Sequence, residues 1–293
     1  MAEVEEISRT TSPSTHKVYS LRRVCQVWRL PRSTFYAQRQ RTWQPDCPRQ
    51  RPGPLGPCAD EMLVEHIRTV LTNSPFPGEG YRKVWARLRY AGIRTSKRRV
   101  LRLMRQYGLL APHLRGRSPG PRHHDGTIIT NRINDMWGTD LTTTMTLTEG
   151  QANIFFAIDH CSLECAGIHA APVATRFEAL EPIRQGVRKH FGAFGPQVAQ
   201  GLSLRHDHGS QYVSRDFQEE IAFFGIKSSP AFVRAPEGNG CAERFVRTLK
   251  ENLLWIKTFR TIEELRQELL LFQRLYNDSW IIAMHGYKTP TQV

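Results

Sequence analysis

Between Arg41 and Asp60 the chain reads "RTWQPDCPRQRPGPLGPCAD", with prolines at 45, 48, 52, 54 and 57. Each proline removes an amide donor and locks φ, so neither a helix nor a sheet ladder runs through such a stretch. Residues 42–58 therefore read as a semi-rigid linker. A second interruption, "HLRGRSPGPRHHDG", leads the linker expected over residues 113–129. The chain must fold as modules that each bury a core of their own. The polar opening, residues 1–16, is expected to be disordered and carries no signal-peptide pattern.

The two segments around the first linker are helical. "VYSLRRVCQVWRLPRSTFYAQRQR" predicts a helix to about Trp28, a Leu-Pro break and a short helix from Ser33, an outline of helix-turn-helix type over residues 17–41. Residues 59–112 form a second helical module: a helix from Ala59 to about Ser74, then two more in "GYRKVWARLRYAGIRTSKRRVLRLMRQYGLLA". Val84, Leu88 and Tyr90 are expected to face inward. Gly92 ends their helix, Thr95 or Ser96 caps the next, and Val100, Leu101 and Met104 form its apolar stripe. Lys97, Arg98, Arg99, Arg102 and Arg105 fall on the other side.

Charge divides the chain in the same place. Residues 1–135 hold 25 Lys and Arg against 10 Asp and Glu, whereas residues 136–293 hold 16 against 17. The whole of the net charge of +14 thus lies in the helical half, the remainder being close to neutral. So dense a set of cations is opposed by self-repulsion unless a polyanion faces it, which makes double-stranded DNA the expected partner and those five side chains its contacts. No apolar run approaches the roughly 20 residues of a membrane span, so no membrane partner is expected. Six cysteines without framework spacing fit a reduced intracellular protein. His160, Cys161 and Cys165 lack a second ligand pair at zinc-finger spacing and read as structural.

Past residue 130 the texture becomes α/β. "MWGTDLTTTMT", "ANIFFAIDH" and "AGIHAAPVA" read as three meandering strands; a helix spans Thr175 to His190; "GLSLRHDHGSQYVS" and "GIKSSPA" supply two further strands. An acid inside an apolar strand is costly unless something holds it. Asp140 lies in the first strand, Asp159 in the second (where a structural role suffices) and Asp207 at the end of the fourth. In "PEGNGCAERFVRTLKENLLW" a turn with Asn239 as cap leads into a helix with Glu243 in its first turns. Arg247 and Lys250 follow at offsets of four and seven, near the same face. That pair is by itself an ordinary solvated stripe. With Asp140 and Asp207 brought beside it, three carboxylates repel unless cations hold them, and Mg²⁺ or Mn²⁺ is the chemical match.

These residues carry a resemblance. "WGTDLT", "RHDHGSQYVS" and "NGCAERFVRTLKEN", with 35 residues between Asp207 and Glu243, resemble the OrfB-type transposases of bacterial insertion sequences, as do "LRRVCQVWRLPRSTFYAQR", "GYRKVWARLR" and the closing "HGYKTPTQV". The resemblance implies a ribonuclease-H-like mixed five-stranded sheet with flanking helices over residues 130–293, preceded by small all-helical modules. It implies metal-dependent cleavage and strand transfer of DNA, with Asp140, Asp207 and Glu243 holding two Mg²⁺ or Mn²⁺ ions. Lys250, and Arg247 beside it, would bind DNA, while Gln211 and Asn239 would order the loops. Implied partners are the element's terminal repeats, target DNA, further copies of the chain on DNA, and a first-reading-frame protein or fusion. The expected location is the bacterial cytoplasm, at the nucleoid. His206 and His208 depart from the family's pattern around Asp207 and read as exposed neighbours. A DNA-binding regulator without catalysis, or a stand-alone metal nuclease, are the rival readings.

Overall fold

The computed structural model describes residues 2–43, 58–111, 130–231 and 239–293. Both predicted linkers fall largely outside these residues. The chain forms two compact units, residues 1–55 and 56–293.

The first unit contains α1 (Ala2–Ile7), α2 (Leu21–Val27) and α3 (Arg32–Trp43). The opening, expected to be disordered, holds the short helix α1. Val4 packs with Val24, Cys25 and Phe35, and Thr11 bridges to Val18. Three of the six residues of α1 are glutamates, and the buried Val4 between them anchors it to α2 and α3. Ser20 caps α2 by accepting from the Arg23 amide.

In the second unit α4 (Asp60–Thr72), α5 (Tyr81–Tyr90) and α6 (Lys97–Gln106) enclose a core of Leu63, Ile67, Val84, Leu88, Val100, Leu103 and Met104. Ser96, rather than Thr95, caps α6 by accepting from Arg99. Two expectations need correction. Leu103 takes the core place expected of Leu101, which is half-buried, and Tyr90 is 63% exposed. Tyr90 ends α5, where its ring turns away and its hydroxyl reaches the C-terminal segment.

The sheet comprises β1 (Met136–Thr146), β2 (Gly150–Asp159), β3 (Cys165–Ala171), β4 (Ser203–His206) and β5 (Lys227–Pro230), in the order β3-β2-β1-β4-β5. The first three strands are antiparallel neighbours; β4 runs parallel to β1, and β5 parallel to β4. On one face Trp137, Phe155 and Ala157 pack against α7 (Arg176–Phe191), the short α8 (Ser210–Val213) and α9 (Arg215–Phe223). On the other, Ile154, Phe156 and Ile158 meet α10 (Gly240–Leu249) and α11 (Ile262–Ser279). Because β2 alternates between two buried faces, it reads as a nearly continuous apolar run. Gly167 of β3 is required by α7: a Cβ there would stand 2.1 Å from the Pro182 carbonyl oxygen.

The helical module does not stand apart from the sheet. Phe76, between α4 and α5, is buried in the same core layer as α10 and α11. Among the described residues no helix is long and apolar enough to cross a membrane.

Candidate active site

Parallel pairing brings the two strand acids side by side. Gly138 is in register with Arg205, so the same spacing carried two residues onward sets Asp140 level with Asp207, just past the end of β4. Helix α10 crosses this edge. It buries Ala242, Phe245 and Leu249 and leaves Glu243, in its first turn, exposed. The Phe245 ring lies 4.8 Å from that of Phe156 and ties the helix to β2. At Lys250 the helix passes into a π turn that runs to Leu254.

The charges of these side chains reach one another. Burial pushes the Asp140 carboxyl up to about 6; the Leu141 amide opposes this, Asp207 and Glu243 add to it, and Lys250 lowers it. The other three predicted groups therefore all act on the Asp140 carboxylate at electrostatic range. Among the described residues no group of three or more His, Cys, Asp or Glu stands close enough to form a ligand set. Two of the acids are turned onto backbone amides instead. Asp140 Oδ1 accepts from Leu141 and Asp207 Oδ1 from Gly209, each at 2.8 Å. Like-charged carboxylates settle at electrostatic range, and the amides of Leu141 and Gly209 satisfy an oxygen each of Asp140 and Asp207. Their all-oxygen chemistry suits a hard divalent cation.

Asn239 does not cap α10 with its side chain. Its Nδ2 donates to the Thr139 carbonyl at 3.1 Å, one residue before Asp140. The same corner explains Gly138 in "WGTD": a Cβ there would lie 2.8 Å from His160 Nε2 and 2.9 Å from Asn239 Oδ1. His160 is buried, and burial followed by the Arg205 charge pushes it down to about 4, so the ring is neutral. A glycine one turn of the pleat before an acid was the available signal for this close approach.

His206 is not an exposed neighbour; it is 1% exposed. A carbonyl only accepts, so the 2.6 Å contact to Asp207 O makes Nδ1 the donor, and Nε2 then accepts from the Ser228 hydroxyl at 2.9 Å. Burial lowers its proton affinity, in keeping with a neutral ring. His208 is exposed and donates to Ala231 O at 2.7 Å. Beneath them Tyr212 is fully buried against His206 and Phe217, close to the side chains of Thr139 and Gln211. Asp159 is structural: it accepts from the amides of Asn134, Cys161 and Ser162 and holds the β2–β3 turn.

The basic residues separate into groups. The Arg247 guanidinium pairs with Glu251 at 2.7 Å. Arg99 Nε and Arg102 Nη2 both donate to Asp60, at 2.8 and 2.6 Å. The Lys97 ammonium lies over the Trp85 and Tyr287 rings. Arg98 and Arg105 are exposed, and with Leu101, Arg102 and Gln106 they line a concavity of about 330 Å³ on the outer face of α6. One acid, Asp60, thus takes up two of the five cations that the sequence places on a single face.

Residues 58–117 match the model of an HTH-like domain, and residues 225–290, which include Glu243 and Lys250, match that of an integrase core domain. Transposase InsD for insertion element IS2A/D/F/H/I/K of Escherichia coli is 30% identical over 224 residues, covering 74% of this chain and 73% of the relative. Among solved structures, a simian T-cell lymphotropic virus intasome chain shares 18% identity with a TM-score of 0.44, over 71% of this chain and 69% of that one. The HTLV-2 integrase catalytic core domain, determined in complex with magnesium, shares 17% with a TM-score of 0.40, over 55% and 95%. The chain belongs to the OrfB-type transposases of bacterial insertion sequences.

Proposed function

We propose that this chain cleaves and joins DNA at the ends of an insertion element, with Asp140, Asp207 and Glu243 holding two Mg²⁺ or Mn²⁺ ions. What supports the reading is that Asp207, Glu243 and Lys250 all act electrostatically on Asp140, with Asp207 level with it past the end of β4 and Glu243 exposed in the first turn of α10. When bound, such a cation pair lowers the barrier to in-line displacement at phosphorus by activating the attacking oxygen and stabilising the leaving one. The chain's own residues supply the frame. Asp140 is held by the sheet and its Leu141 contact, Asp207 by the Gly209 amide, and Glu243 by the burial of the opposite face of α10. Lys250 offers an ammonium to a phosphate beside the acids. Asn239, and Tyr212 with Gln211 close by, steady the strand and loop that carry Asp140 and Asp207. Arg98 and Arg105 on α6 bind the duplex backbone, and Arg102 and Lys97 contribute at its border. The element's terminal repeats and target DNA are the substrates. Further copies of the chain assemble on them, with or without a first-reading-frame partner, at the bacterial nucleoid.

The test incubates the full chain with labelled candidate element ends and Mg²⁺ or Mn²⁺ and maps new 3′ ends and joints. Asp140→Asn, Asp207→Asn and Glu243→Gln should each abolish both products and leave end binding within about threefold, since they remove cation ligands and not the basic face. Cleavage retained in any one of them removes that residue from the site. Binding without any product in the parent chain favours a regulator.

A further inference from the structure

We infer that the contact between α5 and the C-terminal segment is a positioning clamp, which sets the phosphate that reaches Asp140 when α6 grips the duplex. The inference rests on the function proposed above and adds residues to it. The helices α4 to α6 already enclose a core of their own, so DNA binding alone does not require them to dock elsewhere. Yet they dock through a series of directional contacts. Phe76 sets its ring 6.2 Å from Phe272 and 4.9 Å from Trp280. Glu79, 3% exposed, accepts from Arg87 Nε at 2.6 Å and Nη2 at 2.7 Å. The same Nη2 donates to the carbonyl of Ser279, the last residue of α11, at 3.0 Å. The Lys83 ammonium lies over the Trp280 ring. At the other end of α5 the Tyr90 hydroxyl donates to Tyr287 O at 2.9 Å, and the Trp85 ring meets that of Tyr287 at 5.6 Å.

Buried charge pairs add little net stability, because desolvation offsets most of their attraction; what they do is select one geometry. A planar guanidinium forked onto one carboxylate and bonded to one carbonyl allows a single orientation of α5 on α11. From there packing is continuous. Helix α6 shares a core with α5, and α11 shares one with α10, where Phe245 lies 5.0 Å from Tyr276. The face bearing Arg98 and Arg105 is therefore held at one distance from Glu243.

The experiment uses the full chain with Arg87→Gln and, separately, Tyr90→Phe. Tyr90 is 63% exposed, so losing its hydroxyl leaves the fold intact even where Arg87→Gln does not fold. Melting, affinity for a labelled end duplex, single-turnover rate and nick position are measured. Affinity should stay within about twofold while the Arg87→Gln rate falls about tenfold or more and nicks spread to flanking phosphates, because small misplacement of a reacting strand is costly in rate. Tyr90→Phe should show the same spread more weakly. Inserting about four Gly and Ser residues between 118 and 119 should leave the nick position unchanged, since packing and not chain length sets the distance. The clamp is overturned if Tyr90→Phe nicks only the parental phosphate at the parental rate, if affinity falls in step with rate, or if the nick moves with the insertion. A parent chain that cuts nothing defeats the proposed function instead.

Discussion

Asn239 donates to the carbonyl of Thr139 across 3.1 Å, which ties the residue four before Glu243 to the residue one before Asp140. A helix start and a strand 100 positions apart in sequence are thereby joined close to the acid that each carries. Asn239→Ala should cost about 1 kcal/mol of stability, the worth of an ordinary hydrogen bond. It should cost far more in chemistry, about ten- to a hundredfold in single-turnover cleavage, through loss of alignment. Thermal melting beside cleavage kinetics separates the two effects. A rate loss no larger than the stability loss predicts would leave Asn239 a structural residue only.

The raised carboxyl of Asp140 carries a pH signature. Its folded value of about 6 lies above the ordinary 3.8, so the ionised form is penalised in the folded state. That penalty is fully present above about pH 6 and fades as pH falls toward 4. Metal-free Asp140→Asn protein should therefore be the more stable one at pH 7.5, by about 1–3 kcal/mol, with the difference shrinking below pH 6. Denaturant melts of both proteins in EDTA at pH 7.5 and pH 5 provide the check, and an asparagine variant that is less stable at both refutes the origin given for the shift.

Lys250 and Arg247 should behave differently although they share the α10 stripe. Lys250 acts electrostatically on Asp140, whereas the Arg247 guanidinium is engaged by Glu251. Lys250→Ala should reduce single-turnover cleavage about ten- to a hundredfold, by loss of a phosphate contact next to the acids. Its melting temperature should barely change, since a surface cation contributes under about 1 kcal/mol. Arg247→Ala should lower the rate less. Parental cleavage by Lys250→Ala would make the stripe a solvated helix face.

The cations of α6 should divide by role. Arg98→Ala and Arg105→Ala should each weaken duplex binding and reduce the salt slope of log K by about one, as expected for the loss of one phosphate contact. Arg99→Ala removes a side chain bonded both to Asp60 and to the Cys58 carbonyl, so it should lower stability by about 1 kcal/mol with a smaller change in the slope. Salt titrations beside melts of the three variants test this, and equal slopes throughout would dissolve the distinction.

Much of this protein was determined by its sequence. Local pattern marked most of the strands, the helix at Glu243 and its amphipathic face, because side-chain period and turn chemistry act over a few residues. The residues of the proposed acidic site stood out for a similar reason: a charge in an apolar strand is rare, and the 35-residue interval from Asp207 to Glu243 belongs to a recognisable pattern. Tertiary structure decided what depends on distant partners. Nothing near His206 in the chain tells that Ser228 and Tyr212 will bury it, and nothing around Arg99 and Arg102 tells that Asp60, some 40 positions away, will take both. The docking of α5 was equally hidden, since Arg87 meets Ser279 across 192 positions. Charge count reports how many cations a segment has; only packing determines which of them an acid already holds and which still face the solvent.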